Sequence, residues 1–142
     1  TKNLLRSILE CNRSLPGRGM NDVEIWDVSG NAAFESGWRA VMQHCDGVLL
    51  VYNPERAGND VEIGNWYDAF VKVNDLDPKA QCLVFAHHSQ TGGGMTAAKA
   101  PPKFSQAGVT FVDTSYDSTS TTVIQQNFDD FLSRCLDQKS RR

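Results

Sequence analysis

The apolar positions change period along the chain, and each period predicts an element. Leu4, Leu5, Ile8 and Leu9 fall at helical spacing among good helix formers, which predicts a helix over residues 1–10. Residues 11–21 hold Pro16, Gly17 and Gly19 and predict a loop. Val23 to Gly30 then predicts a short strand that ends in an acid and is followed by a glycine. Val23, Ile25 and Asp27 share one face, and Glu24 and Trp26 the other. Phe34, Trp38, Val41, Met42 and Cys45 mark a helix face. Gly47 to Asn53 is a nearly continuous apolar run, the pattern of a strand covered on both faces. Ile63, Trp66, Tyr67, Phe70 and Val71 form the stripe of a third helix, after a polar loop over residues 54–59. Gln81 to Ala86 is another buried strand, Val109 to Val112 the last. Ile124, Phe128, Phe131, Leu132 and Cys135 form a final amphipathic helix.

Strand and helix alternate from Val23 onward. That order predicts an α/β fold with a doubly wound, mostly parallel sheet and right-handed crossovers. Ligands in such folds sit at the carboxyl ends of the strands. The positions to inspect are therefore Asp27 to Gly30, Asn53, His87 to Gln90, and Asp113 to Asp117. Residues 1–142 read as a single domain. Within it, 88–103 is expected to be a mobile surface loop, with three consecutive glycines and two prolines, and 138–142 a basic tail.

Composition narrows the partners. Hydrophobic residues make up 40% of the 142 residues and charged ones 22%, ordinary values for a globular domain. The net charge of −3 gives no electrostatic basis for binding nucleic acid or an anionic membrane. No run reaches the roughly 18 apolar residues that a membrane span needs. Cys11, Cys45, Cys82 and Cys135 form no C-x-x-C and no zinc spacing. Apart from Cys11 they sit in apolar patterns as core thiols, which fits a reducing, cytoplasmic compartment.

Several tempting groups have plainer explanations. His87 and His88 are adjacent in extended chain and point to opposite faces, so they do not predict a metal site. Cys82 lies mid-strand beside Leu83, which argues against a nucleophile paired with His87. Gly92-Gly93-Gly94 leads into no periodic helix and is not a phosphate loop. Trp26, Trp38 and Trp66 read as core by periodicity. Any that are exposed become candidates for a partner surface. Asp60, Glu62 and Asp68 read as a solvated helix face.

Trp26-Asp27-Val28-Ser29-Gly30 resembles the W-D-x-x-G of Ras-superfamily small GTPases. Phe34-Glu35-Ser36 and Asp46 to Tyr52 follow in that family's order, and Asp113-Thr114-Ser115 resembles the start of its late E-T-S-A-K loop. The segments Trp26 to Trp38, Trp66 to Val71 and Gln81 to His88 are similar to the Rab-like subunit of the intraflagellar transport B complex, where His-His replaces N-K-x-D. The resemblance covers residues 22–115. It implies a P-loop NTPase fold of the small G-domain kind that binds GTP or GDP with Mg2+. Asp27 would hold the ion through water, since a hard ion keeps most of its waters, and Gly30 would approach the terminal phosphate without a Cβ in the way. His87, His88, Gln90, Ser115 and Tyr116 would face the base.

The departures shape the expected mechanism. Asn31 stands where the family has its water-orienting Gln, and its amide is one methylene short, so slow or negligible hydrolysis is expected. Gln90 replaces an Asp and offers no ionic fork to guanine. Tyr116 and Asp117 replace Ala and Lys. The phosphate loop G-x-x-x-x-G-K-[ST] is not in the chain. Thr1 is read as its magnesium-binding hydroxyl; alternatively Lys2 is the motif lysine and Asn3 replaces the hydroxyl. The family's first strand is missing too, and residues 11–21 are too short for its switch segment and second strand. An incomplete domain is therefore expected, with a genuine degenerate domain as the alternative. By resemblance the chain is a structural or regulatory nucleotide-binding module that docks on the coiled-coil intraflagellar transport proteins 74 and 81, in cytoplasm and cilium. The alternatives are an active GTPase switch and a nucleotide-free scaffold. The last residues, Ser140-Arg141-Arg142, carry no prenylatable cysteine, so no direct membrane anchor is expected.

Overall fold

The computed structural model describes residues 6–89 and 96–141. It divides between Cys45 and Asp46 into two compact units.

The first unit is built on a β-hairpin. Strand β1 (Arg6–Leu15) and strand β2 (Gly19–Val28) pair antiparallel along their whole length. Gly17 and Gly19 adopt positive φ of 71° and 67°, which lets the connection turn back tightly. This corrects two expectations, since residues 6–10 are strand rather than helix and residues 11–21 are not one loop. The doublet Ile8-Leu9 satisfies either period locally, and pairing decides between them. Leu9 lies opposite Ile25 and Cys11 opposite Val23 on one face, with Ile8 opposite Trp26 on the other. A strand therefore does precede the W-D-x-x-G strand, although the length of residues 11–21 argued against one. After β2 the chain enters a 3-10 helix (Ala32–Gly37) that runs into the short helix α1 (Trp38–Val41), where Trp38 and Val41 are buried.

The second unit is a three-stranded parallel sheet in the order β3 (Val48–Tyr52), β4 (Cys82–His87), β5 (Thr110–Thr114). Strand β4 is central, and Cys82 to Ala86 are all buried. Helix α2 (Asn59–Tyr67) packs on β3 and continues into a π-turn (Asp68–Lys72). It buries Ile63, Tyr67, Phe70 and Val71, as their spacing predicts. Helix α3 (Pro78–Gln81) leads into β4. Helix α4 (Pro102–Ala107) shortens the expected loop, with Pro102 at its first position and Gly108 ending it at φ 76°. Helix α5 (Ser118–Ser140) covers one face of the sheet, packing Ile124, Phe128, Phe131, Leu132 and Cys135 on Leu49, Leu83, Phe85 and Val112. Val84 and Ala86 point the other way and are equally buried, so β4 is covered on both sides as its sequence predicts. Strand β3 departs from that expectation. It is an edge, and Val51 is 50% exposed.

Candidate functional site

Parallel register brings the three strand ends of the second unit to one edge. Tyr52, Ala86 and Asp113 form one row, and His87 pairs with Thr114 in the next. The residues just beyond the strands are tied to each other. Asn53 donates from Nδ2 to Ser89 Oγ at 3.1 Å, linking the segments after β3 and β4. Its Oδ1 accepts from Glu55 N at 2.9 Å, which shapes the turn that follows β3.

His87 and His88 point to different surroundings, as extended backbone requires. His87 shares a 2.8 Å hydrogen bond between Nδ1 and Thr114 Oγ1. Its ring meets that of Tyr116 edge-on, with centroids 4.5 Å apart. Tyr116 is 70% exposed and forms the outer wall of this corner. His88 is buried. Its Nδ1 lies 3.0 Å from Glu55 Oε1 and its Nε2 2.6 Å from Asp113 Oδ1. Burial lowers the His88 pKa, but the hydrogen bonds to Asp113 and Glu55, together with their charges, outweigh it and leave the pKa raised. Ala98 N–H also donates to Asp113 Oδ1, at 2.9 Å. Ser115 works locally: its N–H donates to Ser120 Oγ and its Oγ accepts from Asp117 N, which closes the turn into α5.

In the first unit Asp27, Gly30 and Asn31 lie at the end of β2. Asp27 is exposed and shares the face of Val23 and Ile25, which are half-buried, while Glu24 and Trp26 point the other way. Trp38 Nε1 donates to Ser29 O at 2.9 Å and so fastens the turn that carries Gly30. Asn31 is the N-cap of the 3-10 helix, and its Oδ1 accepts from Ala33 N at 2.9 Å. The carboxamide oxygen is thus held by the backbone two residues on. Trp26 is 37% exposed, against the core reading of its periodicity. Arg6 sits over its ring at 4.6 Å, and its indole N–H donates to Glu24.

Thr1 and Gln90 lie outside the described residues. Arg6 to Glu10 are strand, whereas a phosphate loop leads into a helix. The structure brings His87, His88, Ser115 and Tyr116 together on the second unit, and Asp27, Gly30 and Asn31 together on the first. Sequence reasoning missed Glu55 and left Asp113 without a role. Glu55 looked like one polar residue in a loop, and its contact with His88 spans 33 positions. Only the register of the sheet creates it. Cys82 behaves as a core thiol: burial, then the neighbouring Cys135, pushes its pKa up to about 12. Among the described residues no group of three or more His, Cys, Asp or Glu is placed to hold a metal ion.

Known structures share this fold. A GTP-bound IFT22/74/81 crystal structure from T. brucei matches with a TM-score of 0.72 at 24% identity, over 99% of this chain and 78% of that one. A GDP-bound T. brucei IFT22 crystal structure matches with a TM-score of 0.69 at 26% identity, over 99% and 84%. The fold is that of a small G domain, as the W-D-x-x-G resemblance implied. Sequence comparison carries the relationship further. The chain is similar in sequence to proteins named intraflagellar transport protein 22. It is 43% identical over 75 residues to the Danio rerio homologue, spanning 53% of this chain and 40% of that protein. It is 32% identical over 111 residues to the Trypanosoma brucei brucei protein, spanning 69% of this chain and 50% of that one. The chain thus spans half or less of the length of these relatives. No protein-family profile matches it.

Proposed function

We propose that this chain is part of a Rab-like GTP- and GDP-binding subunit of the intraflagellar transport B complex, a structural or regulatory module with weak or no hydrolysis. The observation that carries the reading is the fold match, over 99% of the chain, to a GDP-bound relative. Asp27 and Gly30 are assigned to the magnesium and phosphate end of the nucleotide. The exposed Asp27 carboxylate suits an ion that takes one or two carboxylates and completes its shell with water and substrate phosphates. Thr1 is assigned as the partner hydroxyl. His87, His88, Gln90, Ser115 and Tyr116 are assigned to the base end.

Asn31 supports weak hydrolysis. Its carboxamide is short, and its oxygen already accepts from Ala33 N. A residue that orients an attacking water needs that group free. Docking on the coiled-coil intraflagellar transport proteins 74 and 81 is proposed from the IFT22/74/81 structure, and a cytoplasmic and ciliary location from the relatives' names. No helix among the described residues is long and apolar enough to cross a membrane.

Isothermal titration with GTP, GDP and ATP in the presence of magnesium tests the reading. Nucleotide that binds the native state also raises the unfolding midpoint. Absence of heat with all three at millimolar concentration sinks the nucleotide assignment. Turnover at the rate of an active switch would instead favour the GTPase alternative.

A further inference from the structure

We propose that His88 is a positioning residue, a proton-bearing clamp that holds the segment after β3 and the end of β5 in the arrangement on which ligand binding at this edge depends. The nucleotide identity of that ligand rests on the function proposed above. The clamp itself rests on geometry. Each imidazole nitrogen faces a carboxylate oxygen, Glu55 at 3.0 Å and Asp113 at 2.6 Å. An ionised carboxylate only accepts hydrogen bonds, so both nitrogens must donate. Only the imidazolium has two N–H groups. Neutral His88 would set a lone pair against one of the two carboxylates.

The pieces held are distant in sequence. Glu55 lies just after β3, His88 just after β4 and Asp113 within β5. The backbone N–H of His88 donates to Thr114 O at 2.9 Å, which adds a second tie to β5. Asp113 in turn accepts from Ala98 N, so one imidazole reaches the segment before α4 as well. His87 and Ser89 flank the clamp, and Ser115 follows it. Tyr52 on β3 is pushed up to about 12 by burial, then by Asp60 on α2 and by Asp113. His87 is turned to Thr114 and Tyr116. With His88 protonated, the cluster of two carboxylates and one imidazolium holds one net negative charge; without the proton it holds two.

The sign of the pH effect follows. The folded-state pKa of His88 is raised above its unfolded value. Its contribution is whole below the unfolded pKa and is lost as pH rises through the folded one. Binding at this edge weakens in the same direction.

The test uses the protein with a fluorescent GDP analogue as probe, from about pH 6 to about pH 9, the range in which a histidine titrates. Hydrogen exchange of the Ala98 amide is followed in parallel without nucleotide. The expected result is that Kd rises about fivefold or more across the range. Ala98 protection falls with the same midpoint, and both responses vanish in His88→Gln. Asp113→Asn is the second variant. It leaves only one carboxylate facing the ring, so the midpoint moves to lower pH. Identical pH profiles for His88→Gln and wild type, or constant Ala98 protection, overturn the clamp. If no nucleotide binds at any pH, the nucleotide reading falls instead, and the Ala98 profile decides the clamp by itself.

Discussion

Gly47 enters β3 without a side chain, and α5 occupies the space a side chain would need. A Cβ at Gly47 would lie 2.5 Å from Cys135 Sγ and 2.7 Å from Phe131 Cζ. Favourable carbon contacts lie at about 3.5–4.0 Å, so roughly 1 Å of overlap has to be relieved. Neither obstacle can swing into water: Phe131 is 5% and Cys135 7% exposed, and both pack with Leu83 and Phe85. Gly47→Ala must therefore push α5 off the sheet or force rotamers out of their wells. Overpacking of this kind costs about 1–3 kcal/mol. For a chain of this size each kcal/mol lowers Tm by about 3–5 °C, so the expected fall is about 3–15 °C. Thermal and urea unfolding followed by far-ultraviolet circular dichroism measures it. Cys135→Ala removes the nearer obstacle, so Gly47→Ala should cost less in that background, with a coupling of about 0.5 kcal/mol or more. If Gly47→Ala unfolds within about 0.5 kcal/mol of wild type, α5 does not sit on β3 as described.

Three further outcomes are expected. Cys82 is raised from 9.0 to about 12 by burial and then by Cys135, and Tyr52 from 10.0 to about 12 by burial and then by Asp60 and Asp113. Between the ordinary values and about 12 the native state keeps protons that the unfolded chain has released. Stability is therefore full below that window and falls as pH rises through it; urea midpoints that stay level across the window contradict the burial argument. At Asn31, substitution by Ala removes the acceptor for Ala33 N–H and costs about 1 kcal/mol of stability. Asn31→Gln supplies the longer carboxamide, and phosphate release from GTP rises above wild type; an unchanged rate shows that Asn31 is not what limits hydrolysis.

The parallel half of the fold was legible because its patterns were long and had one solution. Cys82 to Ala86 had to be covered on both faces, and the stripe from Ile63 to Val71 had to be a helix. The hairpin was not legible. Ile8-Leu9 fits a helix or a strand, and the choice was made by Trp26 and Ile25 across the ribbon. Trp26 looked like core by alternation, yet it lies on the open face of the ribbon beside Arg6.

The candidate site divides in the same way. Sequence by itself determined strands β2, β3, β4 and β5, and with them the strand ends where a ligand would sit. It also set Asn31, His87, His88 and Gln90 apart from the motifs of the family that the sequence resembles. These are properties of residue type and local spacing. The tertiary structure decided how the residues are used. It gave the Asn31 oxygen to Ala33 N–H and turned His87 onto Tyr116. It also placed His88 between Glu55 and Asp113. An ion pair between segments 25 and 33 positions apart has no local signature. It exists only once β3, β4 and β5 take their register and bring those carboxylates to the two sides of one buried ring.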